Sequence, residues 1–391
     1  MTRAEKHSAS RAGFTLLEML VALVAGSIAI TSIYFVSASS SRHFQEQQRI
    51  AQTQQSIRMS MEQLRRDIAR AGYLGTPNSG REQTCASVPT AVRAMEMRNA
   101  ADSAVLPEAS RNGVEADRLY LTGNFVTADS YLIIGLNGAG NGVFLQRNWQ
   151  SFRRSFGSVD TSGSWVYEPG AFDDVFMPGR MLHIQTVQGM HFFVRISARN
   201  SAQATVAFTP ALPVGGHCVV GLADSAMVSP LSRIEYRVMN VGGADIGSVS
   251  SGSTVAGVNG PVLVRREVQF DRDDAIAGTE RVVAEHVADF DVDFIFEEGG
   301  TGAPSVLRRR GDAVAAARLV ATATPHAVRS AIVRLSVRTP MEEPQFLYEA
   351  RGAGAPLTRY DINTTTPGAA RVRTITSEII MPNVANRGMR P

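Results

Sequence analysis

The spacing of apolar positions changes twice along the chain. From Phe14 to about Val36 almost every position is apolar, beginning Phe14-Thr15-Leu16-Leu17-Glu18-Met19-Leu20-Val21-Ala22-Leu23-Val24. A run of roughly 20 such residues crosses the hydrocarbon core of a bilayer as a helix, so this stretch predicts a membrane span. Farther on the apolar positions retreat to one side. Ile50, Ile57, Met61, Leu64 and Ile68 recur at mixed spacings of three, four and seven, with Gln45, Gln47, Gln48, Gln52, Gln54 and Arg65 between them. That is the pattern of an amphipathic helix lying on a folded body. No proline interrupts 14–73, so one continuous rod is expected, ending at Gly72, Gly75 and Pro77.

Beyond the helix the period drops to two. Short alternating or apolar runs at 117–121, 131–134, 181–184, 191–196, 233–238, 262–266, 289–294, 331–339 and 371–381 predict strands. Pro178-Gly179 turns the chain into 181–184, for which 191–196 is the expected hairpin partner. The glycine- and asparagine-rich 135–142 reads as a turn. The glycine- and serine-rich 241–260 reads as a flexible loop, and 297–325 as a less regular insert. Within 289–294, Asp289, Asp291 and Asp293 alternate with Phe290, Val292 and Phe294, which predicts an acidic, solvated face and an apolar one. The expected fold class is α+β: a long N-terminal helix, transmembrane over 14–36 and amphipathic over 37–75, then a large antiparallel β-rich head over 76–391.

The span carries one ionisable residue, Glu18. A lone carboxylate within the apolar phase costs about 2.5–3.5 kcal/mol even on the lenient insertion scale, so it asks for a partner. An ordinary signal anchor with a stray acid is the simpler alternative, and residues 1–13 argue against it. They are short and polar, carry Arg3, Lys6 and Arg11, and end with Gly13 directly against Phe14. A secretory signal is cut after its apolar stretch, whereas here the small residue precedes it. A cut after Gly13 would keep the span. It would also place a new α-amino group on Phe14, one helical turn from Glu18, to neutralise that acid within the chain or on a neighbour.

Gly13-Phe14-Thr15-Leu16-Leu17-Glu18 resembles the processing site of type IV prepilins and of the pseudopilins of type II secretion. The resemblance implies that a prepilin peptidase cuts after Gly13 and N-methylates Phe14, and that Glu18 registers an incoming subunit during assembly. A second stretch, Met61-Glu62-Gln63-Leu64-Arg65-Arg66-Asp67-Ile68-Ala69-Arg70-Ala71-Gly72-Tyr73-Leu74-Gly75, resembles PilW-type minor pilins. Thr76 stands where those proteins often carry a cysteine, with Cys85 as the candidate replacement. The order of strands resembles the same proteins and, more loosely, the J-type minor pseudopilin. Taken on their own, Asp67 and Arg70 read as a solvated pair and Gly72 as a helix stop.

These resemblances imply a minor pilin held in the inner membrane of a Gram-negative-type bacterium with its head in the periplasm, then carried into a type IV pilus. Its expected partners are the prepilin peptidase, other major and minor pilins through the N-terminal helix, the inner-membrane assembly platform, and lipid before assembly. About 315 residues follow Gly75, a bulky head that favours a position near the tip and a role in initiation, twitching motility or adhesion. The alternatives are a J-type pseudopilin of type II secretion and a tip adhesin or DNA-uptake receptor.

Composition narrows the rest. The 391 residues are 44% hydrophobic and 19% charged, which excludes a disordered chain. A formal charge of +3 implies neither a polyanion-binding surface nor an acidic tail. Cys85 and Cys218 lie on the side that the positive-inside rule places outside the cytoplasm, where a disulfide can form; the other reading is two unpaired small buried residues. His183, His191, His217, His286 and His326 lack zinc-ligand spacing and read as surface or strand residues. Phe270-Asp271-Arg272-Asp273-Asp274 opens like a calcium loop without that loop's glycine and closing glutamate. Phosphate-loop and nucleophile-elbow motifs are lacking. The expectation is a protein that is not an enzyme and takes no metal or cofactor. DNA is the alternative partner, through Arg308-Arg309-Arg310 and the strand residues Arg265, Arg266, Arg334 and Arg338. Cross-strand pairing with acids such as Asp291 accounts for the strand arginines more simply.

Overall fold

The structure, a computed structural model, describes residues 15–84, 91–98, 109–212, 221–222, 225–241, 260–298, 305–308, 323–352, 355–363 and 367–388. It divides into two units, Met1–Gln52 and Thr53–Pro391. The first unit holds most of helix α1 (Leu16–Arg70). Its segment Leu16–Ser41 has a mean hydropathy of 2.2, and none of it is buried by the described residues. Three hydroxyls in this segment turn inward on their own helix. Ser27 Oγ donates to the Val24 carbonyl at 2.8 Å, Thr31 Oγ1 to Ser27 at 2.7 Å and Ser32 Oγ to Ile28 at 2.9 Å, which satisfies hydroxyls that lipid cannot.

In the second unit the same helix becomes one-sided, and Ile57, Met61, Leu64 and Ile68 are buried. It stops in a turn at Gly72, whose φ of +78° suits a residue without Cβ. Gly72 N–H donates to the Thr122 carbonyl at 2.8 Å, tying the helix end to the sheet. Gly123 is required there, because a Cβ on it would lie 2.9 Å from the Arg70 carbonyl oxygen.

The strands follow as β1 (Met95–Arg98), β2 (Arg118–Gly123), β3 (Tyr131–Leu136), β4 (Gly142–Leu145), β5 (Gly157–Val159), β6 (Trp165–Tyr167), β7 (Met181–Gln185), β8 (His191–Asn200) and β9 (Thr205–Thr209). Then come β10 (Met227–Val241), β11 (Gly260–Val268), β12 (Arg281–Glu285), β13 (Val287–Glu298), β14 (Ser305–Arg308), β15 (Val328–Arg338), β16 (Glu343–Leu347), β17 (Arg359–Tyr360) and β18 (Gly368–Ile380). Short helices α2 (Ala109–Asn112), α3 (Gln150–Ser155), α4 (Pro169–Val175) and α5 (Pro382–Gly388) lie between and after them. All pairings between these strands are antiparallel. The α+β class, an apolar N-terminal helix followed by an antiparallel β-rich domain, therefore holds.

The first sheet contains a closed ring. β3 pairs with β4, β4 with β9, β9 with β8, β8 with β7, β7 with β10, and β10 with β3 again. Closure leaves this six-stranded barrel no free edge. Its core contains Ile133, Leu145, Ile184, Val194 and Val206, together with Phe152 from α3, Phe156 just after it, Phe172 from α4 and Phe176 just after that. Beyond Leu231 the same long β10 leaves the ring and pairs with β2 on one side and β11 on the other. A second sheet runs β14-β13-β15-β18-β16, with β17 also on β18. One core cluster joins the helix residues Leu64 and Ile68 to Leu119, Leu121 and Ile234 of the first sheet and to Phe290, Val292 and Leu335 of the second.

Two sequence expectations change here. Asp289, Asp291 and Asp293 do alternate with the apolar residues of β13, but their face is not solvated. Asp289 is 7% and Asp293 6% exposed, and on the side away from the helix Val114, Leu357 and Tyr360 pack with Ala288, next to Asp289, and with Ala370 and Val372. The 297–325 insert begins with order, since β14 extends β13 as a hairpin. Residues 242–259 and 309–322 lie outside the described residues.

Candidate functional site

The residues that would be processed, Gly13 and Phe14, lie outside the described residues, as do Cys85 and Cys218. Glu18 is described, and its surroundings are specific. Thr15 precedes the first helical residue, and its Oγ1 accepts from Glu18 N–H at 3.2 Å. Glu18 Oε2 in turn accepts from Thr15 N–H at 2.9 Å and from Thr15 Oγ1 at 3.0 Å. This reciprocal arrangement is a capping box, which satisfies amide donors that a helix start leaves open. In this chain the carboxylate is thus held by its own helix start. Thr15-Leu16-Leu17-Glu18 carries that signature in its sequence, so Glu18 is not a lone acid.

Residues 8–34 match the family model described as the prokaryotic N-terminal methylation motif. The motif supports a type IV pilin-like or pseudopilin-like prepilin. It implies processing by prepilin peptidase and contact with other pilins, and together with the exposed apolar helix it fits membrane anchoring followed by pilus assembly. Proteins of this kind are structural and not catalytic. No curated protein and no solved structure matches the chain.

At the far end of α1 the structure corrects another expectation. Asp67 and Arg70 do not form a solvated pair. The Asp67 carboxylate accepts from Tyr236 Oη at 2.6 Å and from Arg265 Nε at 2.7 Å, while Arg70 donates to the carbonyls of Asn124 and Thr127, both at 2.8 Å. Burial first, and then the Asp67 charge, push the Tyr236 hydroxyl well above its ordinary pKa, so it stays a neutral donor. The motif at 61–75 thereby fixes the last turns of the helix to β10 and β11.

The strand arginines are engaged within the head. Arg266 donates to Glu235 at 2.5 Å and lies 3.4 Å from Glu280; Arg334 meets Asp291 at 2.9 Å; Arg338 donates to the carbonyls of Thr339 and Pro340. Glu235–Arg266 and Asp291–Arg334 are directly opposed in register. Arg309 and Arg310 lie outside the described residues.

Two histidines that looked scattered are brought together. His183 and His191 are diagonal neighbours across the β7–β8 hairpin, opposite Phe193 and Gln185 respectively, with Nε2 and Nδ1 2.8 Å apart and rings stacked. His183 Nδ1 lies 2.9 Å from the Leu74 carbonyl, and His191 Nε2 is 3.5 Å from Glu82, whose other oxygen accepts from Thr76. This buried chain fastens the barrel to the turn after α1. Their spacing of eight in a hairpin was the available signal, but only the register makes it specific. Among the described residues no group of three or more His, Cys, Asp or Glu is placed to hold a metal ion.

Proposed function

We propose that the chain is a minor pilin of the PilW type, made as a prepilin with leader 1–13. Cleavage after Gly13 and N-methylation of Phe14 release a subunit whose helix over 14–36 first lies in the inner membrane, with the head of 76–391 in the periplasm. Extraction then moves the same apolar surface from lipid to neighbouring helices, a substitution that needs no covalent chemistry. Glu18 meets the amino terminus of a neighbour as the subunit docks. The bulk of the head supports a place near the tip of the pilus, in initiation or adhesion.

The observation that carries this reading is the methylation motif at 8–34 placed directly on a helix whose apolar surface finds no cover among the described residues. Intact mass and N-terminal sequencing of the protein from membranes with and without prepilin peptidase provide the test. The expected chain starts at methylated Phe14 only when the peptidase is present. A chain starting near Met1 in both would overturn the reading. Deleting the gene separates the two filament systems: loss of surface pili and twitching supports the pilus, and loss of exoprotein release supports the secretion pseudopilin instead.

A further inference from the structure

The face of the first sheet turned away from the helix carries a charged cavity of about 320 Å³ between β1, β2, β10 and the segment after β11. Four arginines line it, Arg93, Arg98, Arg233 and Arg272, against three acids, Glu96, Asp271 and Asp273. Every one of those acids is already engaged. Asp273 holds Arg98 and, at 3.1 Å, Arg233; Glu96 holds Arg233 at 2.7 Å; Asp271 holds Arg195 from outside the lining. Arg98 and Arg233 are fixed further by lying over the Tyr120 ring, 4.9 and 4.5 Å from its centroid. Arg93 and Arg272 make no hydrogen bond or ion pair with any described residue. The cavity is therefore a cationic recess with a rigid wall and two uncommitted guanidinium groups.

We propose that this cavity receives a carboxylate of a neighbouring polypeptide, held by Arg93 and Arg272. Guanidinium forks match a carboxylate in two-pronged geometry. With Arg195 neutralising Asp271 from outside the lining, the unbalanced charge of the recess is that of the two free guanidinium groups, which suits one anionic group gripped by both. A polyanion such as a nucleic-acid backbone would also meet Glu96, Asp271 and Asp273, which disfavours it. Phe270, packed on Val92, Met181, Phe193 and Leu231, supplies an apolar floor beside the charges. The carboxylate comes either from an acidic side chain or from a chain terminus. That the neighbour is another filament subunit rests on the proposed function, while the binding chemistry stands apart from it.

The test titrates the full chain in detergent micelles with three alanine-based peptides and with inorganic phosphate. One peptide carries a single internal glutamate and an amidated end, one a free C-terminal carboxylate, and one a glutamine with an amidated end. Saturable binding of either carboxylate peptide, at least tenfold tighter than the glutamine peptide, is expected, and the tighter of the two identifies the source. The double variant Arg93→Gln, Arg272→Gln should lose at least tenfold in affinity while its thermal unfolding is unchanged. Arg281→Gln, exposed on β12, should bind as the parent does. Equal binding of the neutral peptide, tighter binding of phosphate, undiminished binding by the double variant, or no binding at all each overturns the proposal. Because processing at Phe14 is read separately by mass, a failure here and a failure of the filament reading remain distinguishable.

Discussion

Asp289 is the least comfortable carboxyl in the head. It is 7% exposed, its Oδ1 has no hydrogen-bond partner among the described residues, and burial first, then the neighbouring Asp291, push its pKa up to about 7 against the pull of Arg334 and Arg351. The folded state therefore holds this proton more tightly than the unfolded chain does. The resulting stability is complete below the usual value near 3.8 and is lost as pH rises through about 7. Replacing Asp289→Asn removes that loss. The variant should be more stable than the parent at pH 8, by an amount bounded above at roughly 4 kcal/mol, and should show little gain at pH 4; urea unfolding at the two pH values measures this. A less stable variant at pH 8 would contradict it. Asp67 is the opposite case, a carboxylate that two partners need. Asp67→Ala leaves Arg265 and the Tyr236 hydroxyl buried without an acceptor, and a cost of about 3–5 kcal/mol is expected in the same assay. The sequence displayed both acids but not their surroundings. Alternation in 289–294 correctly separates two faces, yet whether the polar face meets water depends on segments far along the chain, as Leu357 and Tyr360 packing with Ala288 beside Asp289 illustrate.

At the scale of elements, β10 does two jobs. Its first residues, Met227–Leu231 by register, close the barrel against β3 and β7, and its later ones order β2 and β11 beside the helix. The later part was legible from Arg233 onward, because polar and apolar residues alternate there. The earlier part was not, since Pro230 argues against an internal strand and nothing local says that a ring will close. Short β4 and β9 are hidden for a similar reason: four residues beside glycine and asparagine, or five directly before Pro210, read as loop until long-range pairing is known. The helix, in contrast, was readable nearly to its last turn, because a 3.6-residue period over many turns is a local property. In the barrel the phenylalanines of α3 and α4 replace what strands alone cannot fill. Phe156 lies 4.8 Å from Phe152, 4.9 Å from Tyr131 and 5.3 Å from Phe172, ring centre to ring centre. Phe156→Ala should cost about 3–5 kcal/mol and reduce amide protection in β3 and β7. Retained protection there would mean that the ring is held by its ladder alone.

For the molecule as a whole, the decisive property is that one helix serves two environments, and Glu18 is where they meet. In the single chain the carboxylate is a helix cap, bound to Thr15; in the proposed assembly it answers a neighbour's amino group. Removing it should ease membrane insertion, because the span loses a charge worth about 2.5–3.5 kcal/mol in the apolar phase, so neither membrane localisation nor cleavage is expected to suffer. Filament incorporation should suffer. Alanine alone cannot say why, since it deletes cap and charge together. Glutamine can, because a Glu18→Gln side chain still accepts from the Thr15 amide and completes a capping box without the negative charge. If registration depends on charge, both variants are processed normally and both fail to enter filaments, as immunoblots of sheared pili against membranes would show. If glutamine enters as the parent does while alanine does not, the role of Glu18 is confined to starting its own helix, and the docking step must find its counter-charge elsewhere.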